Sequence, residues 1–292
     1  MSLDIHLKQT KLLKKKFTFD DITNALDGYA YGISDVGFIL TDLDGDFEDK
    51  YIIFYDPKKI GRGFTLQYIS SERAIDLNLN VPCTYHDIED FYECTKRLCK
   101  MMGIQKFEHD GETLTLEDIP EKVKYTMNWV GNVLDSFVKD EKFGYTFGAI
   151  YPLHVEEKFM QSIMDLDEEN KVIAFEEYLH EKQNQDLYYA KARVYKINDE
   201  RLVGFFTLSE GVDSIFPDEP ALPIMSDDLD ISDWYIGIVS FDGEPHLEGN
   251  IAFNTLKEVL DLSSLPRFDE SHFIITLDQK QIEQLRPHFV EI

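Results

Sequence analysis

Two stretches of this chain repeat apolar residues at steps of three and four, and they constrain the fold more than any other feature. In the first, Ile88, Phe91, Tyr92, Thr95, Leu98, Cys99 and Met102 fall on one stripe; in the second, Ile119, Val123, Met127, Val130, Leu134 and Phe137 do. A stripe with this period predicts a helix that buries one face against other elements. Thr84 with Asp87 has the form of a capping box, and Gly103 closes the far end of the first helix. Thr115 with Asp118 opens the second, with Pro120 in the first turn, where its missing N–H is harmless. Apolar stripes of this kind are core rather than ligand boxes.

The segments around these helices carry the period of strands. Leu3, Ile5 and Leu7 alternate with Asp4, His6 and Lys8, as in a strand with one buried face. Apolar runs at 36–40 and 51–55 flank Asp42-Leu43-Asp44-Gly45-Asp46, and Asp-Gly between two such runs predicts a β-hairpin. Residues 64–69 and 74–79 extend the same sheet. A short helix over 17–26 is expected to start at Asp20 or Asp21. Residues 145–150 read as a strand ended by Pro152, followed by helices over 155–164 and 171–180. The alternating run 187–197 turns through Asn198-Asp199 into 202–208. Residues 209–233, with Pro217, Pro220 and Pro223, read as an extended loop. A strand over 234–241 precedes Asp242-Gly243, then come a helix over 254–262, a strand over 273–277 and a last helix capped by Asp278 and stopped by Pro287.

Together these signals predict an α+β fold, mainly antiparallel sheets built from hairpins with amphipathic helices packed on one side. The order hairpin-then-helix recurs, which suggests two similar halves meeting near Tyr151: an N-terminal α+β unit over 1–150 and a C-terminal α+β unit over 151–292. A single domain is the alternative at this length.

Charge narrows the function. The 292 residues hold 56 Asp and Glu against 29 Lys and Arg, a formal charge of -27, yet 21 Phe and 15 Tyr exclude a disordered acidic chain. Five of the lysines (Lys8, Lys11, Lys14, Lys15, Lys16) crowd the first 16 residues, so the remainder is more acidic still. Such a surface repels nucleic-acid phosphates and anionic lipid and attracts a basic protein or a cation. No apolar run approaches the roughly 20 residues of a membrane span, and the N-terminus lacks the basic-then-apolar order of a secretory signal. The three cysteines, Cys83, Cys94 and Cys99, form no CxxC pair, which argues against a disulfide framework or a thiolate zinc site. A cytoplasmic protein with reduced thiols is expected.

Among candidate chemical sites, residues 38–46, Phe-Ile-Leu-Thr-Asp-Leu-Asp-Gly-Asp, resemble the first motif of the haloacid-dehalogenase-like phosphatases. That resemblance implies Asp42 as nucleophile and Asp44 as general acid/base beside a magnesium ion. The chain departs from the pattern at Asp46, where the family has Thr or Val, and in the expected hairpin, where the family has a crossover helix. Asp42, Asp44, Asp46 and Glu48 also offer clustered oxygens to a hard cation, as do Asp227, Asp228, Asp230 and Asp233. The EF-hand pattern is not met, because Phe47 and Ile53 stand where Gly and Glu are needed. Lys58-Lys59 before Gly61-Arg62-Gly63 is the one compact basic spot outside the N-terminus, a glycine turn of a kind that can hold phosphate. It lacks Walker spacing. The eight histidines form no zincin pattern and no Gly-x-Ser-x-Gly elbow occurs. No cofactor is expected.

The opening MSLDIHLKQTKLLKKKFTFDDI, the length and the acidic balance resemble an uncharacterised bacterial family described only as a domain of unknown function. That resemblance implies a bacterial cytoplasmic setting and carries no activity with it. Two functional classes follow. The first is a non-enzymatic binding protein whose acidic surface engages a basic protein partner, as polymorphic-toxin immunity proteins do. The second is a metal-dependent phosphoesterase using Asp42 and Asp44.

Overall fold

In a computed structural model the chain forms two compact units, Met1–Gln185 and Asp186–Ile292. The structure describes residues 1–10, 14–35, 38–139, 145–197, 201–222, 230–241 and 243–292. The boundary expected at 150/151 lies inside the first unit.

The first unit begins with β1 (Ser2–Lys8), α1 (Phe19–Ala25), β2 (Ala30–Ser34), β3 (Leu40–Thr41), β4 (Tyr51–Tyr55), β5 (Phe64–Ile69) and β6 (Ala74–Asn80). It continues with α2 (Tyr85–Met102), β7 (Lys106–His109), β8 (Glu112–Thr115), α3 (Ile119–Lys139), β9 (Tyr145–Phe147), β10 (Pro152–His154), α4 (Glu157–Ser162) and α5 (Glu168–Gln183). Eight of these strands make one antiparallel sheet in the order β3-β2-β4-β5-β6-β1-β7-β8. The alternation read from the sequence decides its two faces. Leu3, Ile5 and Leu7 of β1, Phe64, Leu66 and Tyr68 of β5, and Ile75, Leu77 and Leu79 of β6 are buried, while the residues between them (Asp4, His6, Thr65, Gln67, Asp76 and Asn78) are not. α2 packs on β6 and against α1 and α3. All seven residues of its predicted stripe are buried, and its capping box and left-handed Gly103 are in place.

The second unit holds β11 (Tyr188–Tyr189), β12 (Arg193–Ile197), β13 (Arg201–Ser209), β14 (Ser214–Pro217), β15 (Ile231–Ser240), β16 (His246–Ala252), α6 (Phe253–Val259), β17 (His272–Ile275) and α7 (Gln279–Leu285). Its sheets run β12-β13-β15-β16 and β11-β14-β17, around a core that includes Phe206, Phe216, Ile236 and Phe253. The fold class is α+β. Its sheets are mostly antiparallel, with parallel pairing at β13·β15 and β11·β14.

Several local expectations are corrected. The hairpin of 36–40 with 51–55 does not form: β4 pairs with β2 and β5, and β3 folds back on β2. The unrecognised strand β2 displaces the expected partner because Asp35 closes a tight turn, its carbonyl accepting from Phe38 N (3.0 Å) and its carboxylate from Ile39 N (3.2 Å). Val36 lies outside the described residues. α1 is capped by Thr18, with Asp21 as the return arm of the capping box. Pro152 begins a strand instead of ending one, since Gly148 N bonds to Tyr151 O and the buried Gln183 side chain accepts from Ile150 N and Tyr151 N. A proline is tolerated at the first position of a strand. The expected loop 209–233 contains β14, whose Ile215 and Phe216 are fully buried. The turn at Asn198-Asp199 and residue Asp242 lie outside the described residues.

Candidate binding surface

Alternation leaves a polar face on the eight-stranded sheet, and strand order brings its residues into rows. One row crosses five strands: Tyr51 opposite Gln67, Gln67 opposite Asp76, Asp76 opposite His6, and His6 opposite Glu108. The next row sets Thr65 opposite Asn78 and Asn78 opposite Asp4. These rows line a hollow of about 670 Å³. Four carboxylates line it (Asp4, Asp76, Glu108 and Asp110), and among the described residues no lysine or arginine does.

The hollow is partly held by internal bonds. His6 Nδ1 lies 2.5 Å from Asp76 Oδ1, and Asn78 Nδ2 donates to Asp4 Oδ1 at 2.6 Å. Asp110 and Asp4 are tied by backbone, Asp110 N donating to Asp4 O and Asp4 N to the Asp110 carboxylate, both at 3.0 Å. Behind Asp110, His109 Nδ1 lies 3.2 Å from its other oxygen, and Nε2 lies 2.8 Å from Tyr92 Oη, which also meets Thr126 Oγ1. Burial pushes the His109 pKa down. A neutral His109 leaves the Asp110 charge uncancelled. Lys8, two residues beyond His6 on β1, pairs with Glu72 at 2.8 Å; that hydrogen bond raises the lysine pKa and lowers the glutamate's.

The residues singled out from the sequence lie elsewhere. Asp42, Asp44 and Asp46 are exposed on the loop before β4, where the Asp44 carbonyl accepts from Lys50 Nζ (2.8 Å) and Asp46 accepts from Glu48 N (3.2 Å). Glu48 pairs with Lys16. Asp227 and Asp228 lie outside the described residues, Asp230 is exposed, and Asp233 pairs with Arg201. Among the described residues no three His, Cys, Asp or Glu side chains converge as metal ligands would.

The glycine turn at 61–63 is occupied from within. Asp87 accepts from Arg62 N (3.0 Å), Gly63 N (2.7 Å) and Thr84 N (2.9 Å), while the Arg62 side chain donates to Phe147 O and Pro82 O. The amides that would have cradled a phosphate hold a carboxylate of the same chain. A second hollow, about 430 Å³ in the other unit, holds Ser240, Glu248 and Arg286. Ser240 Oγ lies 3.1 Å from His246 Nε2 and donates to Glu248 at 2.8 Å. This is no catalytic triad, because His246 Nδ1 bonds the Glu244 carbonyl and the carboxylate sits beside the serine.

Sequence reasoning placed Asp4, His6 and Lys8 on one face of a strand but did not single them out. Their alternation with Leu3, Ile5 and Leu7 was the available signal. Asp110-Gly111 was another: the pair joins β7 to β8 with φ of 49° and 81°, as a two-residue hairpin turn requires.

A family model matches residues 2–285, nearly the full chain. The chain belongs to this family, described as a domain of unknown function (DUF4299). Neither the curated proteins nor the solved structures provide a match. The site therefore has to be read from its own geometry.

Proposed function

We propose that this protein is a non-enzymatic binding protein whose open sheet face in the first unit engages a basic segment of a protein partner. The observation that carries this reading is the hollow itself, where four carboxylates share one concave face and no lysine or arginine is among the described residues that line it. A cationic chain segment docked there gains from complementary potential, which steers association and selects against nucleic acid and anionic membranes. Three buried free thiols fit the reducing conditions of the cytoplasm, where we place it. Among the described residues no helix is long and apolar enough to cross a membrane.

The test is a tagged pull-down with the full chain, washed at low and then high salt, beside the double variant Asp76→Asn, Glu108→Gln. A basic partner released by salt and captured poorly by the variant is the expected result. Retention of the partner unchanged in high salt, or equal capture by the variant, would count against it. Magnesium-dependent hydrolysis of a model phosphate ester, abolished by Asp42→Asn, would replace this reading with the phosphoesterase.

A further inference from the structure

The ligand class of the hollow can be taken one step further, resting on the binding role just proposed. We infer that the row Tyr51–Gln67–Asp76 is an arginine-reading site, taking one guanidinium group of the basic partner in preference to a lysine ammonium. Three observations converge on it.

The first is the set of acceptors left over. Asp76 spends Oδ1 on His6 and Gln67 its amide nitrogen on the Asp49 carbonyl (2.9 Å), and among the described residues nothing donates to the Glu108 carboxylate. Asp76 Oδ2, Gln67 Oε1 and both Glu108 oxygens therefore remain without partners among the described residues. The second is spacing. Neighbouring strands lie about 4.8 Å apart, so Tyr51, Gln67 and Asp76 span about 10 Å on one line across β4, β5 and β6. A guanidinium lying over Gln67 reaches the carboxylate on one side and the ring on the other, and its planar fork of five donors suits acceptors arranged in a row. The third is Tyr51 itself, 68% exposed at the end of that row. A tyrosine face stacks on a guanidinium and takes less from a strongly hydrated ammonium.

The experiment is a titration of the isotopically labelled full chain with two blocked peptides, acetyl-tetra-arginine amide and acetyl-tetra-lysine amide, followed by amide chemical shifts at low salt. The arginine peptide should bind about fivefold tighter than the lysine peptide, with the largest shifts in β4, β5 and β6. Asp76→Asn, which preserves the shape beside His6, should weaken the arginine peptide about tenfold. Tyr51→Ala changes an exposed side chain and should abolish the preference, bringing the arginine peptide down to the affinity of the lysine peptide. Equal affinities for the two peptides, with shifts still in the hollow, would overturn the arginine site and leave the basic-partner reading standing. Binding of neither peptide, or shifts confined to other strands, would also overturn it. An empty pull-down besides would remove both.

Discussion

Asp87 shows how a group with the look of a binding site becomes structural. Burial raises its pKa, opposed by the amide hydrogens of Arg62, Thr84 and Gly63 that point at its carboxylate. Replacing it by alanine strands those donors in the interior, so Asp87→Ala should cost about 3–5 kcal/mol in urea unfolding. Asp87→Asn, which keeps an acceptor oxygen, should cost clearly less. Three residues on, Asp90 offers a pH-dependent case. Burial lifts its pKa to about 6, although the Tyr29 hydroxyl donates to it at 2.8 Å and opposes the shift. The folded state therefore holds this proton more tightly than the unfolded chain, whose reference value is 3.8. Its contribution is fully present below about pH 4 and is lost as pH rises through about 6. Asp90→Asn should flatten the stability profile over that window and, allowing for partial solvent access, gain about 1–2 kcal/mol at pH 7. Urea titrations of both proteins between pH 4.5 and 7 would show a gap that widens upward, and a constant gap would refute the assignment.

Two glycines separate the conformational cost of a turn from a packing cost. Gly111, in the β7–β8 turn, has φ of 81° and open space where a Cβ would stand, so Gly111→Ala should cost only about 1 kcal/mol. Gly63 has φ of 65°, and a Cβ there would sit 2.4 Å from the Phe54 carbonyl oxygen on β4, so Gly63→Ala should be markedly worse. Thermal melts of the two variants would rank them. α2 and α3 were legible because cap, stripe and stop all lie within one contiguous segment. β2 was not: Ala30-Tyr31-Gly32-Ile33-Ser34 has a weak pattern and owes its place to a sheet partner 21 to 25 residues away. β14 was hidden for the same reason, four residues among prolines whose burial depends on β11 and β17. The Asp44-Gly45 signal misled because Asp-Gly marks a turn without stating which strands it joins.

Across the whole molecule, a charge of -27 acts on folding and binding in opposite directions. Self-repulsion strains the compact state, so raising salt from about 10 to 150 mM, which shortens the screening length from about 30 to 8 Å, should raise the melting temperature while weakening capture of a basic partner. A partner whose binding and a fold whose stability moved together with salt would contradict that separation. The acidic balance was plain in the composition, and so was the polar face of β1, because an alternating strand must send Asp4, His6 and Lys8 to the side opposite Leu3, Ile5 and Leu7. The candidate site was not. It exists because β1 lies between β6 and β7, which sets His6 beside Asp76 and Glu108, residues 70 and about 100 positions away. Periodicity determined which side chains face solvent, since it is a property of each segment alone. Strand order decided which of them meet, because pairing depends on the packing of α2 on β6 and on turns whose partners lie far apart in the chain.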